Sequence, residues 1–261
     1  MISQLLIRGM IVGAFAGLLA FGFARVFGEP QVDLAIAFEG SLHAPHVEAA
    51  TAASGDESAA VGHSHADGEE LVSRPVQAGL GLFTGVVVYG AAFGGIFALV
   101  FAFAYGRIGR LDARAVAALV AALGFLSVVI VPMLKYPANP PSVGSGDTIG
   151  YRTELFMAML VLSIAATALA VIVRSRLAAT YGGWNATLIA GAGFIVVIAI
   201  VMFALPPVNE VPEGFPAALL WRFRVASLGT QAIIWTVLGL AFGVAAQKVL
   251  PERAPRINFG A

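Results

Sequence analysis

All four histidines of the chain, His43, His46, His63 and His65, fall within residues 28–76, together with nine of its fifteen acids. Imidazole and carboxylate side by side suit borderline divalent cations such as cobalt, nickel and zinc. His43 and His46 stand three apart, which on a helix gives them a common face. His63 and His65 stand two apart, a spacing that suits an extended strand. Neither spacing closes a site by itself. The stretch therefore reads as a tract that gathers metal, with a solvated linker as the bland alternative. Metal affinity of such a tract falls as pH drops through about 6.5, where imidazole gains its proton. Glu29, Asp33 and Glu39, which open the stretch, are the carboxylates expected to join the histidines as ligands.

Almost everything around this tract is apolar. The 261 residues are 59% hydrophobic and only 11% charged, with mean hydropathy +0.89. A soluble domain carries about 25% charged residues, so the composition is that of an integral membrane protein in contact with the lipid bilayer. There is no cysteine, which excludes disulfides, thiolate metal sites and thiol nucleophiles. The Gly-x-x-x-x-Gly-Lys-Ser/Thr pattern is missing, so nucleotide hydrolysis through that loop is excluded as well. No nucleic-acid partner is expected.

About 20 apolar residues are needed to cross a bilayer as a helix. Six segments qualify: 5–27, 78–104, 114–134, 154–173, 186–205 and 228–248. The expected fold is all-α, a single membrane domain over residues 1–261 built as a bundle of six transmembrane helices. Arg8 precedes a run from Gly9 to Ala24 that slightly exceeds a signal peptide's apolar core, so a retained first helix is expected. With the N-terminus inside, nine Lys and Arg face inward against six outward, the bias of the positive-inside rule. Both termini are then cytoplasmic. Only Asp112 and Glu252 lie inside, leaving thirteen acids on the outer face, which is also the face of the histidines.

The outer connections are rich in proline and hold the unusual sequence. They cover 28–76, 135–153 and 206–216, the last running on to Arg222 and Arg224. Residues 40–72 of the first are expected to form a mobile His- and acid-rich loop. The second and third are expected to be ordered caps, because proline lowers the entropy of an ordered loop. Their polar residues Asn139, Asp147, Arg152, Asn209, Glu210, Arg222 and Arg224 mark a cation entry, a salt-bridged cap, or both.

Within the spans, Gly9, Gly13 and Gly17, Gly90 with Gly94, Gly81 with Gly85, and Gly239 with Gly243 recur at four-residue spacing. This spacing suits close helix packing, with reception of a partner helix as the functional alternative. No Asp, Glu, Lys or His lies in the middle of a span. An enzyme with an acid or base at membrane depth is therefore not expected. The interior polar groups, among them Tyr89, Ser127, Ser163, Thr167, Thr230 and Gln231, are expected to make interhelical hydrogen bonds or to pack in the core, and to pass a cation along if one crosses.

Four stretches resemble the predicted cobalt transporter subunit family CbtA. They are Gly28-Glu29-Pro30-Gln31-Val32-Asp33-Leu34-Ala35-Ile36-Ala37, followed by Ser73-Arg74-Pro75-Val76-Gln77; Lys135-Tyr136-Pro137-Ala138-Asn139-Pro140-Pro141-Ser142-Val143-Gly144; and Asn209-Glu210-Val211-Pro212-Glu213-Gly214-Phe215-Pro216. The resemblance covers nearly the whole chain. It implies a bacterial inner-membrane protein that supplies cobalt for cobalamin synthesis. It also implies a small single-span, His-containing partner, CbtB. The family pattern has about five spans, one fewer than counted here. The expected function is uptake of Co²⁺, or of Ni²⁺, as a substrate ion with no resident cofactor. The alternative is a metal-binding accessory or assembly protein that transports nothing itself.

Overall fold

The computed structural model describes residues 1–53, 72–109, 111–141 and 143–250, with side-chain surroundings throughout these except at 42–53. Every regular element among the described residues is helical. Five helices are long and apolar enough to cross a membrane: α1 (Ile2–Ser41), α2 (Arg74–Ala104), α3 (Ala113–Lys135), α4 (Gly146–Ala204) and α5 (Ala217–Gln247). They are apolar on nearly every side, so large side chains such as Phe203, Trp184 and Leu134 stand exposed on the bundle surface. That is the pattern of helices whose outer faces meet lipid.

The helices overrun the predicted spans. The backbone of α1 stays helical through a π turn at Ala24–Gly28 and onward from Glu29 to Ala53. The outer connection expected to begin at residue 28 is thus a helical extension over its first half. Pro30 does not stop it. The π turn directly before it shifts the hydrogen-bond register where the proline offers no N–H. Pro132 likewise follows a π turn, Phe125–Ile130, whereas Pro75 stands in the first turn of α2, where no N–H is needed. Arg152, Arg222 and Arg224, read from sequence as loop residues, likewise lie on the first turns of α4 and α5.

The closest packing joins α1 to α2. Gly9 meets the Gly94 carbonyl and Ala98, Gly13 meets Gly90, and Gly17 meets Val86. The partner number falls as the first rises, so the two helices run antiparallel. A Cβ built on Gly13 would stand 2.1 Å from the Gly90 oxygen, so only glycine permits this approach. Gly239 and Gly243 of α5 pack in the same manner on Ala121 and on Arg114 and Ala117 of α3. Gly85, by contrast, meets nothing within 4 Å. Between α2 and α5 the centre is filled by aromatic rings, with Phe97 and Phe101 edge-on to Phe242 at 5.4 and 5.1 Å and Phe93 edge-on to Trp235 at 5.0 Å.

The helix α4 is not one straight rod. Gly182 interrupts it with φ 77 and ψ 159, a left-handed backbone that glycine adopts without strain. Met159 and Ala166 before the break share a cluster with Ile198 and Val201 after it, and Arg174 Nε reaches Thr187 Oγ1 at 3.3 Å. The helix therefore doubles back at Gly182, and the apolar segments expected at 154–173 and 186–205 are its two arms. Buried Ser163 pins this hairpin to α3 by donating to the Ser127 carbonyl at 2.6 Å. Ser127 stands in the π turn of α3.

Two ends of the bundle follow. Met1, Tyr105 and Leu250 line one small cavity at the first end, and Arg8 Nη1 donates to the Ala245 carbonyl there at 3.2 Å. The opposite end carries the extension of α1, the start of α2, and the segments 136–148 and 205–216.

Candidate functional site: the loop-bearing end of the bundle

Three arginines, each from the first turns of a helix, organise this end. Arg74 opens α2 and holds two acids on the helical extension of α1. Its Nη2 bonds Glu29 Oε2 and also Asp33 Oδ1 at 2.9 Å, while its Nε reaches Asp33 Oδ1 at 3.1 Å. Glu29 and Asp33 are one helical turn apart, so one guanidinium serves both. Glu29 is buried and Asp33 is exposed.

Arg152, on α4, links the second segment to the third. Its Nε lies 3.3 Å from Glu210 Oε2, without the alignment of a hydrogen bond, and its Nη2 donates to the Ser145 carbonyl at 3.0 Å. Glu210 also accepts from the Ser145 N–H at 3.0 Å. Arg224, on α5, reaches the second segment. Its Nε donates to the Ala138 carbonyl at 3.2 Å and its Nη2 to Asn139 Oδ1 at 2.9 Å. Tyr136 Oη donates to the Pro206 carbonyl at 2.8 Å.

An apolar clasp joins the first segment to the other two. Ala35 and Phe38 of the extension pack with Val143, Phe215 and Leu219. The Phe38 and Phe215 rings meet edge-on at 5.1 Å. The described parts of all three segments therefore stand at one end of the bundle.

Between the second and third segments lies a cleft of about 380 Å³. Its walls include Tyr136, Val143, Phe156 and Val208, and its polar groups include Asn139, Arg152, Asn209, Glu210 and Arg224.

The residues expected to bind metal or shape the entry separate into groups. Glu29 and Asp33 are held by Arg74, and Glu39 is exposed further along the extension. Positions 43 and 46 lie on the helical backbone, while the side chains of His43 and His46 fall outside the described residues, as do His63 and His65 entirely. Asn139, Arg152, Asn209, Glu210 and Arg224 line the cleft. Asp147 and Arg222 are exposed and do not line it. Among the described residues no three His, Asp or Glu side chains gather to hold a metal.

Sequence reasoning missed the pairing of Arg74 with Glu29 and Asp33. The available signal was a basic residue at the head of one apolar segment and two acids four apart at the tail of its neighbour. It also missed Tyr136 as a wall of the cleft, and no spacing pointed to it.

The electrostatics favour carboxylates in one place and disfavour cations in another. Unit charges about 4 Å apart interact by about 4 kcal/mol near a protein surface, and a divalent ion doubles that. A bare divalent cation beside Arg224 would therefore be repelled strongly. Glu210 is held below the usual carboxylate range, first by the Thr148 hydroxyl, then by the Ser145 N–H and the Arg152 charge. The Tyr136 phenol is pushed up by burial and then by Tyr151.

A depressed carboxyl contributes stability that is present above its unfolded value, here 4.5, and is lost as pH falls through the lower folded value. The link between the second and third segments should thus hold at neutral pH and loosen in acid below about 4.5. Hydrogen exchange at the Ser145 amide, corrected for its intrinsic rate, should show protection falling there. Glu210→Gln should make that protection low and independent of pH over the same range.

A family model described as "Probable cobalt transporter subunit (CbtA)" matches residues 2–247. The chain belongs to the CbtA family. The match takes in all five long apolar helices and every residue of the cleft, so the loop-bearing end is part of the CbtA domain and not an addition to it. No curated protein and no solved structure matches the chain. The CbtA description makes it a multi-pass membrane protein of a cobalt transporter, and the word subunit implies that it works with a partner.

Proposed function

We propose that this CbtA subunit crosses the bacterial inner membrane six times, with both termini in the cytoplasm, and takes up Co²⁺ for cobalamin synthesis. The sixth crossing comes from the doubling back of α4 at Gly182. The observation that carries the reading is the apolar clasp of Ala35 and Phe38 on Val143 and Phe215. It sets the helix that leads into the histidine tract against both proline-rich segments, making a single mouth. The inward excess of Lys and Arg supports turning that mouth outward.

At the mouth, His43, His46, His63, His65 and Glu39 collect the ion. Glu29 and Asp33 join them when Arg74 moves aside. Asn139, Asp147, Arg152, Asn209, Glu210, Arg222 and Arg224 hold the caps and border the entry. A small single-span, His-containing subunit of the CbtB kind completes the path.

The aromatic filling between α2 and α5 favours a second reading, in which the chain binds metal as an accessory and passes nothing by itself. Cells expressing the chain should accumulate more radiolabelled cobalt at limiting supply than cells lacking it. Equal accumulation contradicts the uptake reading. Cobalt bound to liposomes that hold the chain and the small subunit, but not admitted to them, favours the accessory reading.

A further inference from the structure

We propose that the cleft between the second and third outer segments binds a small polycarboxylate anion, so that part of the mouth receives the metal's carboxylate ligand rather than the bare ion. The sign of the lining carries this. Among the residues of the cleft, Arg152 and Arg224 are cationic and Glu210 alone is acidic. Arg224 has only neutral acceptors among its described partners, the Ala138 carbonyl and Asn139 Oδ1. Arg152 shares Glu210 with the Ser145 N–H, and its buried Nε finds no aligned acceptor. Lys135 adds a third positive charge beside the Tyr136 wall. Planar guanidinium groups match carboxylate geometry.

A volume of about 380 Å³ falls in the range of small-molecule pockets, and apolar walls with a few placed polar groups are the usual lining of such sites. A bare divalent cation finds the opposite there, and its place is among the acids and histidines of the first segment. A polycarboxylate could arrive free or already holding cobalt. The inference rests on the uptake reading for the identity of the cargo, and on the cleft alone for the anion.

The test is thermal unfolding of the purified full chain in detergent, with citrate, cobalt–citrate, cobalt alone, and chloride at matched ionic strength. Citrate or cobalt–citrate near a hundredfold excess over its Kd should raise the midpoint by about 5 °C. Stabilisation by citrate without metal assigns the free anion, and stabilisation by cobalt–citrate only assigns the chelate. Arg224→Gln should weaken either response at least tenfold in apparent affinity, while Arg224→Lys, which keeps the charge, should retain more of it. If Arg224→Gln does not fold, Asn209→Ala, on an exposed rim residue, should still weaken the response. No citrate effect beyond chloride, or an effect indifferent to these substitutions, overturns the inference. Cobalt uptake that persists in that case leaves the functional reading standing, and citrate binding without uptake does the reverse.

Discussion

Gly13→Leu is expected to abolish the folded bundle. The Cβ alone would stand 2.1 Å from the Gly90 oxygen and 2.9 Å from the Gly94 Cα, both backbone atoms that cannot swing aside. Overpacking that side chains can absorb costs roughly 1–3 kcal/mol. Here α1 and α2 must separate along the whole Gly9–Gly17 contact, so the loss should exceed about 3 kcal/mol. Gly85→Ala is the matched control. It also substitutes a helical glycine in an apolar span, but with nothing within 4 Å, and should be neutral or stabilise by about 0.5–1 kcal/mol. Size-exclusion recovery and thermal unfolding in detergent would read both. A folded, normally stable Gly13→Leu chain would mean that α1 and α2 do not pack as described.

The second large effect is expected at Arg74. Arg74→Ala removes the guanidinium from Glu29, whose side chain is only 9% exposed, and from Asp33, which is 58% exposed. Breaking a buried pair from one side costs roughly 3–5 kcal/mol, while an exposed pair contributes about 0–1 kcal/mol. Arg74 is itself 28% exposed, so water can reach part of the gap, and a loss of about 2–3 kcal/mol is expected, almost all of it from Glu29. Arg74→Ala combined with Glu29→Gln should recover most of it, whereas Arg74→Ala combined with Asp33→Asn should recover little. Equal recovery by the two pairs would show that burial of Glu29 does not set the cost. In the uptake reading the same latch matters to function, because the two carboxylates become ligands only when Arg74 releases them.

Much of the fold is legible in the residues, because membrane composition leaves few choices. Runs of apolar residues must be helical where water cannot satisfy the backbone. The glycines at four-residue spacing flagged faces for close helix packing, and Gly9, Gly13 and Gly17 do pack on α2, although Gly85 meets nothing within 4 Å. Helix ends were harder to read. Pro30 and Glu29 look like a stop, yet the π turn at Ala24–Gly28 carries the helix past them. Arg222 and Arg224 look like loop residues because they are charged, but Arg224 is satisfied by carbonyl groups of the neighbouring segment and so can sit on a helix. Ser127 and Ser163 were readable as interhelical partners and meet as such.

The site was legible only in outline. Proline and charge flagged the segments that meet, and Arg152 with Glu210 does tie two of them together. The partner of each arginine was not legible, because pairings such as Arg74 with Glu29 depend on which helix ends lie side by side. The net positive cleft could not be read from a face that is acidic in total. Averaging charge over the face hides Arg152 and Arg224 beneath exposed acids such as Asp147, Glu154 and Glu213.

In the uptake reading, all three proline-rich and acidic segments build one outward mouth. The chain has no cysteine of its own, so single-cysteine labelling with a membrane-impermeant thiol reagent tests this directly. Glu39→Cys, Asp147→Cys and Glu213→Cys place a thiol on an exposed residue of each segment, and Ser175→Cys places one near the Gly182 bend. The account predicts that the first three label from outside intact spheroplasts, and that Ser175→Cys labels only after the membrane is opened. Labelling of Glu39→Cys from the opposite side to Asp147→Cys or Glu213→Cys would contradict it.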